Sequence, residues 1–405
     1  MLGSETKQAL TFMGVDMAIG GHCDPRFFRV REVFERHFAE GAELGAAFTV
    51  FLDGERVVDL WGGVADRTTG RAWGAHTPVL AYSCTKAVTA TALLLLAERG
   101  LIDVAAPIRE YWPEFGTASV TVEHVLTHQA GLPAIEEQVP VAEFEDQPAI
   151  AARIAAQTPV WEPGTAHGYH AVTYGFLVGE IIRRVTGKSA GDVVSAEIAG
   201  PRGLELWLGA PPDVIERTAR LSAGERTQAE PVIEVEDGDP ANPMTAIAAA
   251  ARDRDSLMNR ALGNPSVHLL PGGANNPVIL RAGWPAMGMV ATARGLAAFY
   301  ADLIAGRILR PETLSDAVRR RVRGPDRVLY IDSSFGLGYM RPALTFLTPA
   351  AGEETAFGHT GLGGSIGLGD VENGLGVAYT MNKLADAVGG SLRAYHLVAA
   401  TYDSL

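Results

Sequence analysis

A serine and a lysine three positions apart are the clearest candidates for covalent chemistry in this sequence. Ser83 and Lys86 stand in the run Ser83-Cys84-Thr85-Lys86, at the start of an apolar stretch. Side chains at positions i and i+3 lie on one face of a helix. A serine hydroxyl becomes a strong nucleophile when a base takes its proton, and a buried lysine can act as that base because burial depresses its pKa. The pattern alone fits a capping serine and a surface lysine equally well.

The position of this pair favours the chemical interpretation. Residues 83–99 predict a helix that is apolar on nearly all sides and ends at Gly100, so it belongs in the interior of a domain. A lysine on such a helix needs a functional reason. Ser83 would lie in the first turn, where unpaired backbone N–H groups and the helix dipole stabilise a developing oxyanion.

Two later segments carry further candidates. In residues 161–174 a Pro-Gly turn precedes Tyr169, whose phenol could exchange a proton with a lysine or could simply pack in the core. Residues 357–367 contain His359, Gly361 and many other glycines, which indicates a close backbone approach, either to a ligand or at a bend into a core strand.

The glycine-rich segment also matches a different serine motif. Residues 363–367 fit G-x-S-x-G, with Ser365 at the nucleophile position. That elbow needs a strand before the serine and a helix after it, whereas Ser365 precedes a second glycine-rich run and a turn. The sequence therefore disfavours Ser365 as the nucleophile.

Taken in order, the three segments resemble the serine β-lactamase and penicillin-binding-protein family, whose motifs are S-x-x-K, Y-x-N and K-T-G. The sequence is most similar to the bacterial esterases related to class C β-lactamases, the family VIII carboxylesterases. Further matches are LTHQAGL at 126–132, WEPGT at 161–165 and VTG at 185–187.

The resemblance implies a role for each matching residue. Ser83 corresponds to the nucleophile, Lys86 to the activating lysine and Tyr169 to the tyrosine of the second motif. The backbone N–H groups of Ser83 and Leu362 correspond to the oxyanion hole. His359 and Gly361 stand where K-T-G contacts the substrate.

Two departures from the family pattern bear on the substrate. Ala171 replaces the asparagine of Y-x-N, and His359 replaces the lysine of K-T-G. A histidine that is neutral at pH 7 offers no permanent cation for a substrate carboxylate. We therefore expect a serine esterase that hydrolyses short-chain carboxylic esters through an acyl-enzyme on Ser83. The alternatives are an acyltransferase to a small alcohol, a β-lactamase or D-amino-acid peptidase, and a non-catalytic binding protein.

The distribution of elements predicts an α+β fold of the β-lactamase/transpeptidase type. Strand patterns occur near both ends and helical patterns in between, so one antiparallel sheet built from both ends and flanked by helices would receive a mainly helical insertion. We expect residues 1–110 and 325–405 to form the sheet domain, residues 111–324 to form the helical domain, and the active site to lie between them. The predicted strands are 46–52, 55–61, 335–340, 364–368 and 375–381; the predicted helices are 24–40, 83–99, 120–126, 174–185, 293–305 and 385–402.

Composition narrows the range of partners. The net charge of −13 disfavours nucleic acid. Two cysteines make a disulfide framework improbable, and no cofactor or metal motif is recognisable, so we expect neither a cofactor nor a metal. The longest apolar run, 90–97, is too short to span a membrane and no signal peptide is recognisable, so a cytoplasmic location is expected. The oligomeric state stays open, a homo-oligomer included.

Overall fold

The computed structural model describes residues 10–12, 15–17, 19–223, 243–385 and 391–405. The helices are α1 (Phe28–Ala39), α2 (Thr85–Glu98), α3 (Val122–Leu126), α4 (Gln147–Ala155), α5 (Thr173–Thr186), α6 (Ala190–Val193), α7 (Pro212–Arg217), α8 (Pro243–Arg252), α9 (Leu257–Gly263), α10 (Pro277–Ala282), α11 (Ala293–Ile304), α12 (Pro311–Val318) and α13 (Leu392–Tyr402). The strands are β1 (Leu10–Phe12), β2 (Val15–Met17), β3 (Gly20–Cys23), β4 (Gly45–Leu52), β5 (Glu55–Asp66), β6 (Arg71–Ala72), β7 (Val79–Leu80), β8 (Leu206–Leu208), β9 (Ser222–Ala223), β10 (Met289–Ala291), β11 (Val322–Pro325), β12 (Asp332–Phe335), β13 (Ala356–Thr360), β14 (Ile366–Asp370), β15 (Leu375–Met381) and β16 (Lys383–Leu384).

The main sheet joins the two ends of the chain, as predicted. Its strand order is β13-β14-β15-β4-β5-β3, with β6 added to β5, and each of these pairs is antiparallel. The β4–β5 hairpin turns at Asp53 and Gly54, both with positive φ, as an Asp-Gly turn requires. The α+β class of the β-lactamase/transpeptidase type is therefore confirmed.

Helix α11 lies directly on the sheet because glycines let it approach. It contacts β4, β14 and β15. A Cβ atom added to Gly376 would lie 2.6 Å from the backbone nitrogen of Ala301, and one added to Gly367 would lie 2.4 Å from the ring of Tyr300. Helices α1 and α13 pack against each other and contribute further apolar side chains to the same core.

Helix α2 is buried along almost its whole length, as its apolar sequence predicted. Every residue from Thr85 to Leu96 is buried, and the helix packs between β13 and α5. Its start differs from the prediction: Tyr82–Cys84 form a 3-10 turn, and the α-helix begins only at Thr85. Ser83 therefore precedes the regular helix.

Two of the strands predicted near the end of the sequence differ from the structure. The predicted strand 335–340 is wrong, because the extended segment β12 ends at Phe335. Gly338, with φ +81, then turns the chain, and the Gly338 N–H donates to Leu126 O at 2.9 Å. The strand predicted at 364–368 occupies Ile366–Asp370, whereas Leu375–Met381 has the predicted bounds. The sequence of residues 222–243 is acidic and rich in Pro and Gly and predicts a surface loop; of these, residues 224–242 lie outside the described residues, as do residues 386–390 of the predicted last helix.

The proposed division into a sheet domain and a helical domain stays a prediction. Within the described part of the chain, no helix is long and apolar enough to cross a membrane. Cys23 and Cys84 are both free thiols.

Candidate active site

A short strand and a strained turn present Ser83. Strand β7 pairs with β10, and the next residue, Ala81, donates its N–H to Met289 O at 2.9 Å. Tyr82 then adopts φ +46, a left-handed conformation that is uncommon for a bulky residue and marks a functional or strained position. The Thr85 hydroxyl donates to Tyr82 O and accepts the N–H of Met289, so the turn is held from both sides. Ser83 is the half-buried residue in this turn.

Lys86 reaches Ser83 from within the core. Its Nζ lies 3.1 Å from Ser83 Oγ, 2.7 Å from Ala171 O and 3.1 Å from Ala286 O. The side chain is completely buried, and this burial lowers the pKa of Lys86 well below its ordinary value. Segment 283–288 thus contributes to the site through its backbone, while Trp284 is buried with Nε1 donating to Phe144 O.

Tyr169 forms a group of three side chains with Ser83 and Lys86. Lys86 Nζ lies 4.8 Å from the centroid of the Tyr169 ring, and the Ser83 hydroxyl is close enough to the phenol to affect its pKa. Burial raises the pKa of Tyr169, an effect that the Ser83 hydroxyl only partly opposes. At neutral pH Tyr169 is therefore a phenol that can donate a proton.

Strand β13 lies directly against the serine turn. Cys84 Sγ donates to His359 O at 3.3 Å, and a Cβ added to Gly361 would lie 2.4 Å from Ala81 O. Leu362 follows at this junction with 38% of its surface exposed, and its N–H has no acceptor among the described residues. The turn that carries Leu362 thus lies beside the Ser83 turn, and the role of the Ser83 and Leu362 N–H groups as an oxyanion hole stays a prediction.

His359 is enclosed rather than open to solvent. Only 1% of its surface is exposed, and its Nδ1 lies 2.7 Å from Thr360 O, so Nδ1 carries the proton and Nε2 is an acceptor. Nε2 has no partner within the described part of the chain. Burial, with a further contribution from Lys86, lowers the pKa of His359 to about 3. The expected neutral histidine is present, and its contact with substrate stays a prediction, as does that of Gly361.

Ser365 does not have the geometry of a nucleophile elbow. The residue is fully buried, it is followed by strand β14 rather than by a helix, and its Oγ has no partner among the described residues. Its carbonyl accepts the N–H of Gly361 at 2.7 Å, so it supports the turn that carries Leu362.

Several groups around Tyr169 were missed from the sequence. His128, with φ +60, packs its ring 5.0 Å from that of Tyr169 and accepts the N–H of His170 on Nδ1. Phe335 stacks on Tyr169 with ring planes 9° apart. The LTHQAGL match contains His128 and could have revealed it, whereas the sequence carries no signal for Phe335. No cluster of metal-ligating side chains occurs in the residues described.

Comparisons with known proteins agree with this geometry. The model of the beta-lactamase family matches residues 30–401. The esterase/beta-lactamase LipL of Mycobacterium tuberculosis is 35% identical over 93% of this chain and 87% of its own length. A crystal structure of a family VIII carboxylesterase superposes with a TM-score of 0.83 at 33% identity, covering 96% of this chain and 100% of the other. A penicillin-binding-protein homologue from Caulobacter crescentus gives 0.81 at 36% identity with the same coverage. The chain therefore belongs to the beta-lactamase family.

Proposed function

We propose that this serine hydrolase is an esterase that cleaves short-chain carboxylic esters through an acyl-enzyme on Ser83. The observation that carries the proposal is the contact between the buried Lys86 amine and the Ser83 hydroxyl. A nucleophilic serine needs a neighbouring group that is unprotonated at working pH and within hydrogen-bond distance. The Lys86 amine lies within hydrogen-bond distance of Ser83 Oγ, and its lowered pKa favours the unprotonated form.

The contacts of Lys86 are compatible with a role as the base when its amine is neutral. A neutral amine has two N–H donors and one lone pair. The carbonyl oxygens of Ala171 and Ala286 can only accept, so they take the two N–H groups. The lone pair is then left for the Ser83 hydroxyl, which donates its proton to Lys86 as Oγ attacks the ester carbonyl.

Tyr169 is suited to the second half of acylation. As a neutral phenol beside Ser83, it can protonate the departing alkoxide and regain its proton from Lys86. The two N–H groups of Ser83 and Leu362 would hold the oxyanion, an arrangement worth about 10²–10³ in rate per donor. Water then attacks the acyl-enzyme by the reverse proton path and releases the acid.

The neutral site favours neutral esters. Burial keeps His359 uncharged at any pH well above 3, so the position of the K-T-G lysine provides no cation for a substrate carboxylate. Ala171 contributes only its backbone carbonyl, which is engaged by Lys86. Substrates that carry a carboxylate next to the scissile bond, as β-lactams do, therefore lose an attraction that the family motif would supply.

A matched pair of variants tests the proposal. We expect Ser83→Ala to reduce hydrolysis of p-nitrophenyl acetate and butyrate by about 10³-fold or more. Ser365→Ala should retain activity because its hydroxyl is buried and has no hydrogen-bond partner among the described residues, and because the substitution keeps the carbonyl that accepts the Gly361 N–H. A fluorophosphonate probe followed by mass spectrometry should label Ser83 alone. Full activity in Ser83→Ala, or label on Ser365, would overturn the assignment.

A further inference from the structure

The loop that carries Tyr169 rests on a buried carboxylate far along the chain. Asp326 is 2% exposed, and its Oδ1 accepts the backbone N–H of Tyr169 at 3.0 Å. The same oxygen accepts the N–H groups of Val328 and Leu329, each at 2.9 Å. One carboxylate oxygen thus ties the Tyr169 backbone to the turn 326–329.

The second oxygen of Asp326 is held equally firmly. Oδ2 accepts the Ser333 hydroxyl at 2.8 Å, and Ser333 Oγ lies 3.0 Å from His167 Nε2. Since Ser333 has one proton and gives it to Asp326, His167 must donate from Nε2. The chain His167–Ser333–Asp326 therefore joins two points of the Tyr169 loop, residue 167 through its side chain and residue 169 through its backbone.

The same segment fixes the Tyr169 ring. Phe335, nine residues after Asp326, stacks on the ring with centroids 6.2 Å apart. Between these contacts, the 326–329 turn packs on Gly168, where an added Cβ would lie 3.0 Å from Val328 Cγ2. Backbone, ring and neighbouring glycine are all held by residues 326–335.

We propose that Asp326 is a positioning residue for Tyr169, whose buried carboxylate sets the place of the Tyr169 phenol beside Ser83. This inference rests on the proposed function for its kinetic consequence but not for its structural one. Burial is the main cause of the raised pKa of Tyr169, and the negative charge of Asp326 acts in the same direction. Asp326 thus helps to keep Tyr169 a proton donor as well as to place it.

Asp370 offers a matched control. It is also fully buried and also accepts two backbone N–H groups on Oδ1, those of Glu372 and Asn373, and side-chain hydroxyls on Oδ2. Asp370 is the last residue of β14 and pairs with Ala356. The turn that contains Gly361 leads into the first residue of β14, so Asp370 and this turn lie at opposite ends of the strand. Replacement of Asp370 should reduce stability without changing Tyr169.

The kinetic test compares Asp326→Ala, Asp326→Asn and Asp370→Ala on p-nitrophenyl butyrate. Asp326→Ala should lower kcat by about 10- to 100-fold, since small misplacements of reacting groups cost this much, with KM within about 3-fold. Asp326→Asn keeps an acceptor oxygen and should recover most of the rate. In a Tyr169→Phe background, Asp326→Ala should cause little further loss, because both changes act through one phenol. The proposal would be overturned if the kcat losses of Asp326→Ala and Tyr169→Phe multiplied in the double variant. An equal kcat loss in Asp370→Ala would also overturn it.

A spectroscopic test separates this inference from the proposed function. With 3-fluorotyrosine incorporated, the ¹⁹F resonance of Tyr169, assigned by its loss in Tyr169→Phe, should shift or broaden in Asp326→Ala and stay in place in Asp370→Ala. Should Asp326→Ala fail to fold, Ser333→Ala removes one donor to Oδ2 and should produce a smaller shift in the same resonance. An unchanged Tyr169 resonance refutes the positioning role whatever the enzyme hydrolyses, whereas activity in Ser83→Ala would refute only the esterase.

Discussion

Acid should destabilise this protein strongly because it buries neutral histidines. Burial is the main cause that lowers the pKa of His37 and His170 to about 4 and that of His359 to about 3, against an ordinary value of 6.5. Between these values the unfolded chain binds protons that the folded protein does not. Stability is therefore fully present above pH 6.5 and is lost as the pH falls toward 4.

The magnitude follows from the linkage relation. At pH 5 each of the three histidines costs about 2 kcal/mol relative to neutral pH, and together they cost about 6 kcal/mol. This loss is comparable with the net stability of a typical protein, about 5–15 kcal/mol. We expect urea unfolding, followed by tryptophan fluorescence, to show the free energy of unfolding falling steeply between pH 7 and pH 5.

His37 allows the effect to be isolated away from the active site. Both of its ring nitrogens lack hydrogen-bond partners among the described residues, and although Glu43 lies 4.0 Å away, that carboxylate already binds Arg393 and Tyr379. His37→Phe should therefore reduce the pH 7-to-5 stability loss by about 2 kcal/mol. His22→Phe, at an exposed position, is the control. An unchanged pH dependence in His37→Phe would refute the reasoning.

Three further substitutions probe the site. Lys86→Met should lower kcat by about 10²–10⁴-fold. A thermal melt of the variant checks that the buried apolar side chain is tolerated. A kcat near that of the wild type would exclude Lys86 as the base. Gly361→Ala should lower kcat and leave Ser83 less reactive to a fluorophosphonate, because the added Cβ must push β13 away from Ala81 O; labelling at the normal rate would contradict this. Tyr169→Phe should slow acylation more than substrate binding, seen as a fall in kcat with little change in KM.

The fold could be predicted where local pattern and tertiary structure agree. Strand β15 has the predicted bounds, and α5 ends next to Gly187, whose φ of +72 is the left-handed cap that its position in the sequence suggested. The region 335–340 misled because its aromatic and apolar residues resemble a strand, while Gly338 reverses the chain to donate to Leu126. That contact joins residues more than 200 positions apart, which no local pattern encodes.

The side chains proposed to react could be predicted from the sequence, but the residues that support them could not. Ser83, Lys86 and Tyr169 stand in recognisable motifs, and the structure brings them together. Asp326 lies about 160 residues from the backbone N–H that it accepts, and an isolated aspartate in an Arg-rich stretch carries no signal of burial. The left-handed conformation of Tyr82 was likewise invisible, because it is imposed by Thr85 and Met289 rather than by the residue itself.

The pairing of β4 with β15 has a consequence for the growing chain on the ribosome. The two strands that form the middle of the sheet are separated by about 320 residues. At a synthesis rate of about 5–20 residues per second, one edge of β4 stays unpaired for roughly 15 to 65 s until β15 has been synthesised. During this interval Ser83 has been synthesised, whereas strand β13 and Leu362, which pack beside it in the folded protein, have not. A nascent chain arrested before Thr360 should thus carry Ser83 without reactivity toward a fluorophosphonate, and its exposed strand edge makes it a natural client for chaperones.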